Sequence, residues 1–262
     1  MGTLDGKVAV VLGASAAGGT GWAVAEHLAA AGAKVVVAAR RREPLEELAA
    51  KIGGLAVPCD AGKKEQVAAL AQAAHQAFGG IDIAVNSAAR PVMGDIATCA
   101  IELVQKSLDV NFLGHVNFVR EMGAIMRDDG SIVLISTSSA SQPVPYFFPY
   151  ACAKAATDCL VRYAALEYGP RGIRVNSILP GPIKTDLAAH IFSVPGTEEV
   201  FEREIALRRV GVPDDFGRIV AMLAGPHYIS GVNIPTSGGM HLTRSPREDE
   251  MPGEGTFHSD RS

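Results

Sequence analysis

Lys7-Val-Ala-Val-Val-Leu-Gly-Ala-Ser-Ala-Ala-Gly-Gly-Thr-Gly21 decides the fold. Its opening, Lys7–Leu12, is short, rich in valine and closed by a glycine, so it reads as a strand buried on both faces. Small residues follow, and Gly21–Ala31 then reads as a helix. A glycine-rich turn between a strand and a helix lets the backbone approach a pyrophosphate closely. The helix start adds unpaired N–H groups and the positive end of a dipole. Gly13, Gly19 and Gly21 are the backbone candidates for such a site, with Ser15 and Thr20 as hydroxyl donors.

Outward from this unit the chain keeps alternating. Lys34–Ala39, Leu55–Cys59, Ile81–Asn86, Ser131–Ser136, Arg174–Ile178 and Val232–Pro235 read as further strands. Glu43–Lys51, Lys64–Phe78, Ile101–Met126, Ala151–Tyr168 and Asp214–Ala224 read as helices. Strands alternating with helices imply an α/β fold, a parallel sheet covered on both faces. No period repeats and no linker divides the chain, so one domain is expected over residues 1–243. Residues 244–262 are polar and rich in Glu, Asp, Gly and Pro, and read as a flexible tail.

The 262 residues suffice for one large domain, and with 48% hydrophobic and 20% charged residues the chain is globular. A net charge of −4 gives no reason to expect nucleic acid or an anionic membrane as partner. No apolar run reaches the roughly 18 residues that span a bilayer, and Met1–Lys7 has no signal-peptide core. Cys59, Cys99, Cys152 and Cys159 are scattered, which fits reduced thiols in a cytoplasmic protein and gives no metal-ligand spacing.

Two further features carry chemistry. Ala39 stands at the end of the second strand, where a carboxylate would bind a ribose 2′-hydroxyl, and Arg40, Arg41 and Arg42 follow it. With no acid to repel it and a guanidinium to fork onto it, a 2′-phosphate is favoured. NADP is therefore expected ahead of NAD, with Arg40 the first candidate and Arg41 the second. Asp60, after the third strand, is placed for the adenine. The second feature is Tyr150-x-x-x-Lys154, whose side chains share a helix face. A cation near a phenol favours the phenolate and lowers its pKa, so the pair reads as a proton donor with its activator. Asn111 and the hydroxyls of Ser136, Thr137, Ser138 and Ser139 lie upstream.

Taken in order, these pieces resemble the short-chain dehydrogenase/reductase family, in its non-extended branch, over about residues 4–243. The series is the glycine turn, Asp60, Asn86-Ser-Ala88-Ala89, Asn111, the hydroxyl cluster, Tyr150 and Lys154, then Pro180-Gly181-Pro-Ile183-Lys-Thr185, Ser230-Gly231 and Gly238-Gly239. The resemblance implies a seven-stranded, mostly parallel Rossmann-type sheet of order 3-2-1-4-5-6-7. It implies that Tyr150 exchanges a proton with a carbonyl or alcohol oxygen. Lys154 would lower the Tyr150 pKa and hold the nicotinamide ribose, and Asn111 would position a water linking Lys154 to solvent. Thr137 or Ser138 would orient the substrate oxygen. Asn86, Ala88, Pro180, Gly181, Ile183 and Thr185 would contact the cofactor. It also implies a homo-oligomer, tetramer or dimer, with the helices Ile101–Met126 and Ala151–Tyr168 pairing between subunits.

The chain departs from the family pattern in three places. Five residues separate Gly13 from Gly19, Ser87 and Ala89 replace the usual Asn and Gly, and the position thirteen before Tyr150 is Thr137. The long gap, Ser87 and Gly-Pro-Ile-Lys-Thr are similar to enoyl-thioester reductases, whose tyrosine lies seven residues before the lysine. That position here is Phe147, which has no proton to give. The reading is a metal-free, NADP-dependent interconversion of a hydrophobic ketone and a secondary alcohol. Apolar walls for the substrate are expected from Val144, Tyr146 and Phe147 and from a lid with Leu187, Ile191 and Phe192. An enoyl reductase and a nucleotide-binding regulator without catalysis are the alternatives.

Overall fold

The computed structural model describes residues 2–252. In chain order the principal elements are β1 (Val8–Leu12), α1 (Thr20–Ala30), β2 (Lys34–Ala39), α2 (Arg42–Ile52), β3 (Leu55–Pro58), α3 (Lys64–Phe78), β4 (Ile81–Asn86), α4 (Ile101–Leu108), α5 (Gly114–Ile125), β5 (Met126–Ile135), α6 (Phe148–Tyr168), β6 (Arg174–Pro180), α7 (Ala189–Phe192), α8 (Thr197–Glu204), α9 (Pro213–Ala224) and β7 (Asn233–Thr236). The strands form one seven-stranded sheet of order β3-β2-β1-β4-β5-β6-β7, and every neighbouring pair is parallel.

Alternation along the strands builds two cores. Ala9 and Val11 of β1, Val35 and Val37 of β2, and Ile83 and Val85 of β4 face α1, α2 and α9. Val10 and Leu12, Val36 and Ala38, Ala84, Ile132 and Leu134 face α3, α5 and α6. Successive side chains on a strand point to opposite faces, so a sheet covered on both sides needs near-continuous apolar runs. That is why Lys7–Leu12 shows no alternation in the sequence.

The expected long helix Ile101–Met126 is interrupted. A π-helical segment, Asp109–Leu113, joins α4 to α5, and Met126 already belongs to β5. The wider π turn rotates the residues around it, and Asn111 sits at its centre, fully buried. The α6 helix begins at Phe148, three residues before the expected Ala151, because Pro149 fits the first helical turn.

Residues 244–252, the described part of the expected tail, make contacts with the domain. Arg244 pairs with Glu204 (3.0 Å) and Glu250 (2.6 Å). Tyr146 donates its hydroxyl to Glu248 (2.9 Å), and Met251 is buried against Phe201, Ile205 and Val210. The rest of the expected tail, residues 253–262, lies outside the described residues.

At the strands' opposite end, Asp82 of β4 ties the sheet together. Its buried carboxylate accepts from the Val8 N–H (2.9 Å), Lys7 Nζ (3.1 Å) and Arg127 Nη1 (2.6 Å). Asp82→Ala strands that N–H and two cations, and should lower unfolding free energy in urea by about 3 kcal/mol. Asp82→Asn, which keeps an acceptor, should lose less.

Candidate active site

The C-terminal ends of the parallel strands open onto a cleft of ≈ 420 Å³. Its floor is the glycine turn, with Gly13, Ser15, Gly19, Thr20 and Gly21 all lining it. Gly13 has φ 95°, and a Cβ there would lie 2.4 Å from the Ala88 nitrogen. A Cβ on Gly21 would lie 2.3 Å from the Gly13 carbonyl oxygen. The turn is thus folded onto β4 and onto the start of α1 at distances only glycine allows. Gly19 caps α1 without any side-chain hydrogen bond, so the first N–H groups of that 11-residue helix remain available to an anion.

Arg40, Arg41 and Asp60 form the next stretch of wall. The two arginines differ in how they are held. Arg41 reaches across to the turn, donating through Nη2 to the Ser15 carbonyl (2.6 Å), whereas Arg40 projects from the rim, exposed. Arg42 is turned away onto Glu46 (2.7 Å). The Asp60 carboxylate accepts from the Gly62 N–H (3.0 Å), which pins the loop after β3. Cys59 beside it is buried, and its thiol is pushed up to about 12 by that burial and then by Asp60, so it is unreactive.

The far end holds Ser136, Thr137 and Tyr150, facing Pro180, Gly181, Ile183 and Thr185. Thr137 belongs to the lining and Ser138 does not; Ser138 is buried behind the loop, its carbonyl accepting from Ser141 Oγ (3.3 Å). Thr137 Oγ1 is fixed by Ser139 Oγ at 3.0 Å. Ala88 lines the cleft, while Asn86 is buried beneath it, its Oδ1 accepting from the Ala88 N–H (3.0 Å).

Lys154 stands behind Tyr150, 1% exposed, with Nζ 5.9 Å from the phenol ring centroid. Nζ donates to the Ile135 carbonyl (2.7 Å) and lies 3.1 Å from His115 Nε2. Here the expectation that the cation lowers the Tyr150 pKa is corrected. Burial pushes the Tyr150 phenol up, and Asp158 adds to the rise. Burial also lowers Lys154 to about 7, against the opposing pull of Asp158. Desolvation is the largest cause at both groups because both are fully buried. The phenol therefore keeps its proton through the neutral range, the state a proton donor needs.

Asn111 is anchored at the cleft wall. Its side chain clamps the backbone of Arg90, accepting from the N–H (3.0 Å) and donating to the carbonyl (2.8 Å), and donates to Ser107 Oγ (3.1 Å). Its main-chain oxygen accepts from Thr157 Oγ1 (2.7 Å). Asn111 thus holds the cleft wall formed by Ser87–Arg90 and has no direct hydrogen bond to Lys154 among the described residues.

The residues expected to meet the substrate gather beside the cleft. Val144, Tyr146, Phe147, Ile191 and Phe192 pack partly buried around Phe201, Ile205, Val210, Met240 and Met251. None of these five lines the main cleft, and Phe192 borders a shallow depression next to it. Phe147 stacks edge-on against Tyr150, with centroids 6.4 Å apart. The Leu187 side chain lies outside the described residues. Arg90, Val110 and Ile135 are lining residues with no motif to announce them, and His115 is a partner of Lys154 that the sequence spacing does not reveal.

A glycine cradle at a helix start, basic residues at the second strand's end and a Tyr–Lys pair at the far wall define a nucleotide-dependent oxidoreductase site. Comparison with known proteins agrees. The family described as "Enoyl-(Acyl carrier protein) reductase" matches residues 13–241. Human "Dehydrogenase/reductase SDR family member 4" is 35% identical over 246 residues, 90% of this chain and 88% of that protein. The "3beta-hydroxysteroid dehydrogenase 1" of Eggerthella lenta is 36% identical over 250 residues, 91% of this chain and 95% of that protein. A Serratia marcescens short-chain dehydrogenase/reductase superposes with a TM-score of 0.84 at 30% identity, covering 91% of this chain and 99% of that one. A Burkholderia cenocepacia short-chain dehydrogenase, solved in complex with NADP, gives 0.83 at 28% identity, covering 91% and 99%. The chain belongs to the short-chain dehydrogenase/reductase family and is an oxidoreductase of that family.

No helix among the described residues is long and apolar enough to cross a membrane. Gly21→Ala should push the turn off the Gly13 carbonyl, and NADPH affinity should fall at least 10-fold by fluorescence titration, with the fold kept by circular dichroism. Unchanged affinity would show that the turn does not carry the phosphates.

Proposed function

We propose that the protein is an NADP-preferring carbonyl reductase/alcohol dehydrogenase acting on a hydrophobic ketone and its secondary alcohol. The observation that carries this reading is the Tyr150 phenol in the cleft together with Thr137, with Lys154 Nζ 5.9 Å from its ring centroid. The glycine turn and the N-terminus of α1 would hold the pyrophosphate, Arg41 and Arg40 the 2′-phosphate, and Asp60 the adenine. Pro180, Gly181, Ile183 and Thr185 would seat the nicotinamide, which supplies the hydride when bound. Tyr150 then delivers its proton to the carbonyl oxygen, and Thr137 donates a hydrogen bond to the same oxygen. Lys154 balances the phenolate left behind. Such positioned proton transfer contributes roughly 10²–10⁴-fold.

Arg41 is the better-supported phosphate ligand, because its guanidinium already spans from the second strand to the turn. The name of the Eggerthella lenta relative fits an alicyclic secondary alcohol. The apolar cluster of Val144, Tyr146, Phe147, Ile191 and Phe192 lies where a lid over such a substrate would close. Exposed Ile101, Leu113, Tyr163 and Leu166 on the α4–α5 and α6 surfaces are suited to pairing with a second copy of the chain.

A second reading, reduction of an enoyl thioester, is favoured by the description of the matching family. Phe147 opposes it. The position where that chemistry needs a phenol is a packed phenyl ring in contact with Tyr150.

Tyr150→Phe should lose at least 10²-fold in turnover of NADPH with a panel of alicyclic and aryl ketones, while binding NADPH as the parent does. Turnover near the parent's rate would sink the carbonyl-reductase reading. Arg41→Ala should weaken NADPH about 10-fold and leave NADH unchanged, by fluorescence titration. Equal effects on both cofactors would assign the 2′-phosphate elsewhere.

A further inference from the structure

We propose that His115 is a positioning residue for Lys154, a neutral imidazole that accepts the ammonium's hydrogen bond and holds Nζ against the back of Tyr150. The proposal rests on the assignment of Tyr150 and Lys154 to the proton relay.

The geometry carries the argument. Lys154 Nζ has two partners, the Ile135 carbonyl and His115 Nε2. His115 projects from α5 and is fully buried, one turn past Asn111. The Asn111 side chain bonds Arg90 and Ser107, and its main-chain oxygen accepts from Thr157. An ammonium has three protons and nothing to accept with, so Nε2 must be the acceptor and the ring proton must sit on Nδ1. The Ala88 backbone favours the protonated ring, while Nδ1 has no hydrogen-bond partner among the described residues. Ala88 is itself part of the cleft wall. His115 thus stands against the buried ammonium and near a segment of the cleft wall.

The charges around the ring keep it neutral. Burial first, and then the Lys154 charge, hold its pKa well below the ordinary histidine value. Tyr150 and Asp158 of α6 are the other titratable groups acting on the cluster, with Arg162 beside Asp158. The ammonium has no directly bonded carboxylate among the described residues, so its charged form depends on neutral acceptors. Removing one of the two should make that form harder to keep and move its titration to lower pH.

The test is an NMR titration of the Lys154 Cε shift in lysine-labelled full-length protein, with the signal assigned by its absence in Lys154→Met. The parent midpoint is expected near 7. His115→Leu should lower it by about one pH unit, a roughly 10-fold loss of proton affinity. His115→Gln, which keeps an acceptor, should return it to within a few tenths. If the Leu variant does not fold, His115→Met fills the same space and carries the comparison. An unchanged midpoint in the variants without a strong acceptor, or a Gln variant shifted as far as they are, would overturn the proposal. NADPH and NADH titrations of the parent separate the two readings: no binding of either removes the proposed function, whereas binding with an unshifted Lys154 removes only the role of His115.

Discussion

Burial of the sheet on both faces constrains everything else in the molecule. A parallel sheet needs a crossover after each strand, and here the helices cover β1, β2, β4, β5 and β6 from both sides. All strands then run the same way, and their C-terminal ends share one edge. The glycine turn after β1, the arginines after β2, Asp60 after β3, Ala88 after β4, Thr137 after β5 and Gly181 after β6 all meet there. Sixfold repetition of a strand end turns residues far apart in the chain into one wall.

The same dryness sets the electrostatics. Tyr150 and Lys154 are brought together by their spacing on α6, yet neither keeps the pKa that spacing alone would give it. Desolvation acts on each group separately and favours the neutral form of both: it keeps the proton on the phenol and loosens it from the ammonium. What holds the ammonium is a ring of neutral acceptors, Ile135 and His115, drawn from β5 and α5. The π turn that precedes α5 carries Asn111, whose side chain bonds the Arg90 backbone in the cleft wall.

The substrate side is built differently. There the walls are short helices and loops held by an apolar cluster and by single polar ties. Tyr146 adopts a left-handed φ of 65° and bonds the C-terminal segment through Glu248. Arg244 fastens that segment to α8 through Glu204, and Met251 closes the cluster. Isolated backbone ties, such as Gly94 N–H to the Tyr146 carbonyl (2.7 Å) and Leu207 N–H to the Gly238 carbonyl (3.0 Å), replace the continuous ladders of the sheet here.

The elements that the sequence by itself determined are those governed by local rules. Apolar runs set the strands, glycines set the turn, and Tyr150 and Lys154 announce themselves because helical spacing places them on one face. Tertiary structure decided what depends on neighbours distant in the chain. It chose Thr137 over Ser138 for the cleft, because the loop after β5 turns one hydroxyl outward and buries the next. It brought Arg41 onto Ser15, His115 onto Lys154 and Met251 onto Phe201, pairs separated by 26, 39 and 50 residues in the chain. It also reversed the expected shift at Tyr150. Spacing tells which charges are near, but only the packed fold tells how much water is left between them, and in a low-dielectric interior that term is the larger.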